Sequence, residues 1–307
     1  MKLANLHDGA PARELSAGHI KGTWRDLGRE LGTRTIGLRR IVIAAGHFST
    51  PAHEHGAEEE IFYVLDGDGL LWLDGHTFGV ARADVIVHRP KSGAHTLRAG
   101  ADGLDVLAFG QRRDGTLTAL PRAGVAWSFP RWVVLGDGEH PFAREAAAGP
   151  PECPSPRPER PPSVVALADV PASLGGRARL AARAAGALAS GLNHVVLGAG
   201  EQGAPAHCHS LEEELFVVLG GGGTLQLWER GEREPRQQPL RAGDVVSRPP
   251  GTGVAHALVP GDDGITYLAY GTREPADMCF YPQSGRVALR GLGIALRSPQ
   301  VEALPDL

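Results

Sequence analysis

Residues Gly46–Leu73 read GHFSTPAHEHGAEEEIFYVLDGDGLLWL, and residues Gly200–Leu227 read GEQGAPAHCHSLEEELFVVLGGGGTLQL. Aligned without a gap at a constant offset of 154, 15 of the 28 positions are identical. The similarity continues outward on both sides, with Ile36–Gly46 matching Ser190–Gly200 and Ala83–Leu97 matching Gly243–Leu258. Two stretches of one chain that match this well indicate an internal duplication.

The matched runs are short, apolar and often alternating, and glycine, proline or Asp-Gly pairs separate them. With 42 glycines and 24 prolines in 307 residues, the chain has the punctuation of many short strands joined by turns. Antiparallel strands avoid exposed sheet edges when they close into a barrel. The sequence therefore predicts an all-β protein with one barrel per repeat and few short helices.

Bulk composition excludes several classes of function. Hydrophobic residues make up 42% and charged residues 21%, as in a soluble globular protein, and the formal net charge is only −4. We therefore expect no nucleic-acid partner and no membrane partner, and we find no apolar segment that resembles a signal peptide or a membrane span. Three scattered cysteines do not form a disulfide framework, so a cytoplasmic location is expected.

A proline-dense segment, which includes GPPECPSPRPERPP, lies between the two repeats. Such a segment cannot build a core, so it is interpreted as an extended linker over the surface. The predicted division is an N-terminal barrel at 1–139, a linker at 140–171 and a C-terminal barrel at 172–307.

Each repeat carries the donor atoms of a metal site. In the first, His53 and His55 are followed by Glu60, and His95 comes later in the repeat. Alternate residues of a strand face the same side, so an HxH pair points two imidazoles into one cavity. The second repeat has the same residue types, namely His207, His209, Glu214 and His256. Three imidazoles and one carboxylate suit one divalent transition metal per barrel, with iron, manganese, nickel, copper and zinc all open.

The spacing G-x6-H-x-H-x4-E-x6-G, from Gly46 to Gly67 and from Gly200 to Gly221, resembles the first signature motif of the cupin superfamily. A looser second motif ends at His95 and His256. The doubling resembles a bicupin, as in oxalate decarboxylases, quercetin dioxygenases and gentisate-type dioxygenases. This resemblance implies two tandem double-stranded β-helix barrels of jelly-roll type, each with a metal near its open end.

The glutamate ligand must be chosen from a run of three in each repeat. Glu60 and Glu214 each stand seven residues before the motif glycine, as the cupin pattern requires. On this assignment Glu59 and Glu213 face outward, and they remain the alternative ligands.

Three further positions are interpreted as structural. Cys208 lies between two ligands and should point away from the metal by strand parity. His88 has no histidine counterpart in the second repeat and is interpreted as an ordinary polar residue. Arg89 and Arg248 precede matched prolines, and this duplication favours a structural ion pair over two substrate clamps.

Two complete ligand sets favour an enzyme that acts on a small-molecule substrate. The leading hypothesis is a dioxygenase-type oxidoreductase, with Glu60 and Glu214 as catalytic proton acceptors. One alternative is a non-redox isomerase, decarboxylase or lyase that acts on a sugar or small carboxylic acid. Another is a non-catalytic ligand-binding or storage bicupin, because a barrel fold alone does not determine function.

The C-terminal segment Phe280–Leu296 has a turn signal followed by a β-rich run that a closed barrel does not need. Such a strand could cover the other barrel or a neighbouring subunit. A homodimer is therefore expected.

Overall fold

A computed structural model describes residues 2–8, 12–113, 115–128, 131–134 and 140–297. The strands of the first half are β1 Leu3–Asn5, β2 Arg13–Ala17, β3 Ile20–Asp26, β4 Ile36–Ile43, β5 Glu54–His55, β6 Glu60–Leu73, β7 His76–Ala81, β8 Asp84–His88, β9 His95–Gln111, β10 Leu117–Leu120, β11 Val125–Ser128 and β12 Arg131–Val134.

The strands of the second half are β13 Val164–Ala166, β14 Ala172–Ser173, β15 Ala178–Arg179, β16 Ser190–Leu197, β17 Cys208–His209, β18 Glu214–Trp228, β19 Arg236–Arg241, β20 Asp244–Arg248, β21 Ala255–Thr272, β22 Met278–Tyr281, β23 Arg286–Leu289 and β24 Ile294–Arg297. The described residues include three short α-helices and two 3-10 turns, namely α1 Leu27–Leu31, α2 Pro141–Ala148, α3 Ala181–Ala184, Leu167–Asp169 and Arg290–Leu292. No helix in the described ranges is long and apolar enough to cross a membrane. The structure confirms an all-β chain of two tandem barrels.

The two barrels have the same strand order. In the first, β6 pairs with β8 and β9, and β9 also pairs with β4; in the second, β18 pairs with β20 and β21, and β21 also pairs with β16. Both long central strands are antiparallel to their neighbours and carry register shifts near Gly67 and Gly221. Each of these glycines has positive φ, and a Cβ at either would clash with a backbone carbonyl across the sheet. The motif glycines therefore allow the barrels to bend.

Strand parity explains why β6 is apolar on both faces. Phe62 and Val64 are buried inside the first barrel, whereas Ile61 and Tyr63 belong to a core shared by the two barrels. The second barrel repeats this pattern, with Phe216 and Val218 inside and Leu215 and Val217 in the shared core. The ring centroids of Phe109 and Tyr270 lie 4.9 Å apart across that core. Each barrel thus buries one face of its sheet against its partner.

The two halves of the chain also exchange a strand. Strand β1, from the first half, pairs with β20 of the second barrel, and β13, which follows the proline-dense segment, pairs with β8 of the first. Within the predicted division at 1–139, 140–171 and 172–307, β1 lies in the first barrel and adds an edge to the second, and β13 lies in the linker and adds an edge to the first. Short apolar strands can cross over in this way because each open sheet edge needs a partner for its backbone groups. For the remaining strands we propose that the predicted division holds.

A small antiparallel sheet lies beside each HxH segment. In the first half it contains β5, β10, β11 and β12, and in the second half β17, β22, β23 and β24. The extra C-terminal strands predicted from Phe280–Leu296 are present, but they extend the small sheet of their own half, where β22 pairs with β17, β23 with β22 and β24 with β23. The expected homodimer stays a prediction.

Candidate metal centres

In the first barrel, strand pairing brings together four residues that are far apart in the sequence. His53 forms an isolated bridge with His95, which begins β9, while His55 lies on β5 and Glu60 begins β6. The Nε2 atoms of His53, His55 and His95 lie 3.6, 3.5 and 3.0 Å from the Glu60 Oε2 atom. All four donor atoms lie within 4.8 Å of one another. The predicted set of this barrel is therefore assembled as a single cluster.

The rear nitrogens of these imidazoles have other partners. The His53 Nδ1 atom lies 2.9 Å from the Pro51 carbonyl oxygen, and the His55 Nδ1 atom lies 3.2 Å from the Thr118 Oγ1 atom. The second barrel repeats the first contact, with the His207 Nδ1 atom 2.7 Å from the Pro205 carbonyl oxygen. An N–H group at Nδ1 that donates to a carbonyl leaves Nε2 as the nitrogen that can bind a metal. The residue two positions before the first histidine of each pair thus fixes the tautomer.

The electrostatics of the two clusters favour an ionised glutamate but hold the imidazoles in different protonation states. Burial would lower the pKa values of His55 and His209, but hydrogen bonds to Glu58 and to Asp277 raise them to about 9 and about 10. Burial alone would raise the pKa of the Glu60 carboxyl, but the neighbouring imidazoles of His53, His55 and His95 outweigh burial and hold that pKa well below its usual range. Burial lowers the pKa of His95 to about 4, and burial likewise lowers the pKa of His256 to about 4. A carboxylate and neutral imidazoles are the forms in which these groups coordinate a metal ion.

Several atoms of the two clusters are buried without a partner. Among the described residues, the Nε2 atoms of His55 and His256 and the Oε2 atom of Glu214 have no hydrogen-bond partner. Such orphaned polar atoms are rare in proteins and are explained by an ion or water that satisfies them. Glu60 and Glu214 keep 14% and 20% of their side-chain surface exposed, so the clusters can be reached from solvent. The residues present fit a divalent metal ion.

The second barrel arranges its donors differently. The Nε2 atoms of His207, His209 and His256 lie 3.7, 3.6 and 3.0 Å from the Glu214 Oε2 atom. Within the described part of the chain, however, the donors fall into overlapping triads rather than one group of four. One triad contains His207, Glu214 and His256, and another contains His207, His209 and Cys279.

Two residues of the second half that the sequence analysis did not single out contact His209. The Asp277 Oδ2 atom lies 2.7 Å from the His209 Nδ1 atom, and the Cys279 Sγ atom lies 3.9 Å from the His209 Nε2 atom. Burial would raise the pKa of Asp277, but the hydrogen bond from His209 lowers it to about 2, so this carboxylate is an acceptor for the imidazole N–H. Asp277 therefore orients His209 so that Nε2 faces the donor cluster.

The sequence contains a pattern from which Asp277 and Cys279 could have been identified. The repeat continues through TLTALP, which ends at Pro121, and DMCFYP, which ends at Pro282. Aligning these segments places Asp277 and Cys279 opposite Thr116 and Thr118 and shows that the two copies differ beside the HxH pair.

The interpretation of His88 as an ordinary polar residue is wrong. His88 is 2% exposed, and its ring stacks on His95 with centroids 3.5 Å apart and planes 4° apart. Strand register places His88 opposite Glu60 and Arg248 opposite Glu214, so Arg248 corresponds to His88 and not to Arg89. Arg248 is buried and donates to the Val254 carbonyl oxygen at 2.8 Å, whereas Arg89 is exposed. The matched pair of arginines predicted from the sequence is therefore not an equivalent pair.

The alternative ligands Glu59 and Glu213 bind the opposite barrel. Glu59 is fully buried and accepts hydrogen bonds from the backbone of Leu188 and Ser190, and Glu213 accepts them from Arg34 and Thr35. Neither belongs to a donor cluster in the described residues. Cys208 is half-buried and also lies outside these clusters.

Comparison with known proteins agrees with this architecture. Residues 39–108 match the family model described as Cupin domain. A segment of 55 residues is 44% identical to the uncharacterized protein MJ1618 of Methanocaldococcus jannaschii, covering 18% of this chain and 43% of that protein. The chain thus spans less than half the length of this curated relative.

Solved structures of oxalate decarboxylase share the arrangement of both barrels. A structure of the Bacillus subtilis enzyme from work on its Mn(II) centers has a TM-score of 0.60 and 13% identity, covering 90% of this chain and 78% of that chain. A structure from work on the substrate binding mode and reaction specificity of oxalate decarboxylase has a TM-score of 0.59 and 16% identity, with the same coverage. At these identities the likeness concerns the fold. Residues 39–108 of the first barrel thus carry a cupin domain match, and the fold of the chain as a whole is similar to that of these solved structures.

Proposed function

We propose that this bicupin is a metal-dependent enzyme that acts on a small organic acid. The observation that carries the proposal is the convergence of three imidazole Nε2 atoms on the Glu60 Oε2 atom. The cluster that they form is largely buried, but solvent can still reach it. His53, His55, Glu60 and His95 would hold the ion in the first barrel. A bound divalent ion would supply a Lewis acid with about two open positions for an anionic substrate.

The residues around the first cluster have separate tasks in this proposal. Glu60 is the ionised group placed to carry a proton between substrate and solvent, since it is the carboxylate of the cluster and is partly exposed. The ring of Phe62, whose centroid lies 6.2 Å from that of His95, forms an apolar wall that excludes water from one side. The Pro51 carbonyl keeps His53 in the tautomer that the site needs.

A redox-neutral decarboxylation or lyase reaction is the first candidate. In a decarboxylation a carbon–carbon bond breaks, carbon dioxide leaves, and the electron pair left on the remaining carbon takes up a proton. This balance needs a proton carrier and no external oxidant, and Glu60 can serve as that carrier. The shared fold of the oxalate decarboxylases supports this class over the dioxygenase that the sequence first suggested.

Dioxygenase chemistry is the second candidate. It is supported by the apolar residues on the barrel side of the first cluster, where Phe62 and Val64 are buried behind the donors. Such a lining would protect reactive oxygen species from water.

Gas exchange distinguishes the two reaction classes. We expect protein loaded with Mn(II) to release carbon dioxide from oxalate or another small carboxylate under argon, and Glu60→Gln to abolish this release. Oxygen uptake with enols, diketones or catechols, together with no turnover under argon, would favour the dioxygenase. A protein that binds no metal after reconstitution with Mn(II), Fe(II) or Zn(II) would contradict the proposed function as a whole.

A further inference from the structure

The two halves differ on the strand that pairs with the HxH segment. In the first barrel β10 pairs with β5 and places Thr118 opposite His55; in the second, β22 pairs with β17 and places Cys279 opposite His209. Counting from this register, Thr116 and Leu120 correspond to Asp277 and Tyr281. The second copy therefore has a carboxylate, a thiol and a phenol where the first has two hydroxyls and an aliphatic side chain.

The thiol and the hydroxyl approach their histidines from different sides. The Thr118 Oγ1 atom contacts the His55 Nδ1 atom, which is the rear nitrogen of that ring. In the second barrel the rear nitrogen of His209 is taken by Asp277, and the Cys279 Sγ atom lies 3.9 Å from Nε2, the nitrogen that faces the donor cluster. Cys279 thus lies on the metal-facing side of its histidine.

The position of the sulfur fits a shared metal ion. The Cys279 Sγ atom and one nitrogen from each of His207 and His209 lie within 4.8 Å of one another. A zinc ion with ordinary bonds, about 2.3 Å to sulfur and about 2.0 Å to nitrogen, would hold these atoms about 3.5 Å apart at a tetrahedral angle. The observed 3.9 Å separation requires only a small movement of one side chain.

An independent observation also indicates a ligand at this place. The Nε2 atom of His256 is aimed at Glu214 and has no hydrogen-bond partner among the described residues, although His256 is 2% exposed. Cys279 itself is 0% exposed and is a free thiol. A buried thiol beside two imidazoles, next to a triad that shares His207 and contains an orphaned imidazole nitrogen, is a donor set that a cation would satisfy.

We propose that Cys279 supplies a sulfur ligand to the metal centre of the second barrel, together with His207 and His209. This inference rests on the proposed function, because it requires that the second barrel bind a metal. Thiolate sulfur favours zinc and copper(I), whereas imidazole and carboxylate donors alone also suit manganese and iron. The two barrels then select different classes of ion, with the thiophilic one in the second.

Cobalt(II) titration of the full-length protein tests the inference, since cobalt bound to a thiolate gives an intense near-ultraviolet sulfur-to-metal charge-transfer band. We expect this band in the wild-type protein and in a Cys153→Ser/Cys208→Ser double variant, which keeps Cys279 as its only thiol. We expect Cys279→Ser and His207→Ala to lose the band and His53→Ala to retain it. Loss of a direct ligand should also lower the zinc affinity of the second barrel about tenfold or more.

The possible results distinguish a failure of the Cys279 assignment from a failure of the proposed function on which it rests. Two equivalents of bound cobalt without the charge-transfer band would overturn the role of Cys279 and leave the metal centres intact. A charge-transfer band that remains in the Cys279→Ser variant would also overturn the role of Cys279. No cobalt binding in either barrel would overturn the metal centres and, with them, this inference. Since the double variant leaves Cys279 unchanged, the test remains decisive even where Cys279→Ser fails to fold.

Discussion

The carboxylate of Glu59 accepts a hydrogen bond from the backbone amide of Ser190 at 2.9 Å, across the interface between the two barrels. It also accepts from the Ser190 hydroxyl and, at 2.8 Å, from the Leu188 amide. Glu213 makes the mirror-image contact, with the Thr35 amide at 2.7 Å and the Thr35 hydroxyl at 2.8 Å. Glu59 and Glu213 directly precede the candidate ligands Glu60 and Glu214 in the sequence. The same chain segments therefore contribute to the interface and to the metal centres.

Removing this carboxylate should destabilise the whole protein. Glu59→Ala leaves the amides of Leu188 and Ser190 buried without an acceptor, and we expect the free energy of unfolding to fall by about 3 kcal/mol. Denaturant unfolding followed by circular dichroism measures the change. Glu234→Ala, at an exposed position, is the control. A midpoint for Glu59→Ala equal to that of the control would show that the contact contributes nothing.

The two centres should lose metal independently. We expect His53→Ala and His207→Ala each to remove about one equivalent of bound metal and the double variant to remove both, since each histidine belongs to a different cluster. Elemental analysis of protein purified without chelator gives the stoichiometry. His47→Ala is a matched control because His47 lies outside the clusters and its Nδ1 atom contacts the Ala45 carbonyl oxygen. Full stoichiometry in His53→Ala would remove that residue from the ligand set.

The stacked ring of His88 should position His95. Its face-to-face contact fixes the plane of the ligand imidazole, so we expect His88→Ala to weaken metal binding in the first barrel about tenfold. His88→Phe preserves a flat ring and should retain most of the affinity. Calorimetric titration in a His207→Ala background isolates the first site. Equal affinities for wild-type and His88→Ala protein would mean that the stack only fills space.

The ion pair of Arg160 should hold the proline-dense segment on the first barrel. Arg160 donates two hydrogen bonds to Asp84, at 2.9 and 2.7 Å, and Asp84 is 2% exposed. Arg160→Ala leaves this buried carboxylate without its cation, and we expect a loss of about 2 kcal/mol in the free energy of unfolding. Arg157→Ala, at an exposed arginine nearby, provides the comparison in the same denaturant assay. An unchanged unfolding midpoint for Arg160→Ala would contradict the expectation.

Much of the architecture was predictable because it depends on periodicity. A period of two in EEEIFYVL places Glu60, Phe62 and Val64 on one face of β6, and the structure has Phe62 and Val64 in the barrel core and Glu60 in the first donor cluster. The same period leaves Glu59 on the opposite face, but no sequence pattern indicated that a second barrel would cover that face and supply its hydrogen bonds.

The remaining features depend on non-local geometry. His88 pairs with Glu60 at one end of β6 and His95 pairs with Leu73 at the other end, so their stacking depends on the bending of the sheet and not on sequence spacing. The exchange of β1 and β13 involves strands of three residues each, too short to carry a pattern. Asp277 and Cys279 lie beyond the last strand of the second barrel, in a segment that shares only its final proline with its counterpart TLTALP.

The strand exchange sets an order of events for a nascent chain. Leu3 pairs with Val246, so β1 remains without its partner until β20 has left the ribosome. The first barrel likewise needs Val164, which pairs with Ile86, before its outer edge is covered. Closing loops of this length is slow, and an uncovered strand edge is prone to pair with other chains. The first barrel can thus complete this edge once β13 has been made, before the second copy is synthesised, whereas the second barrel takes up a strand that was made long before it.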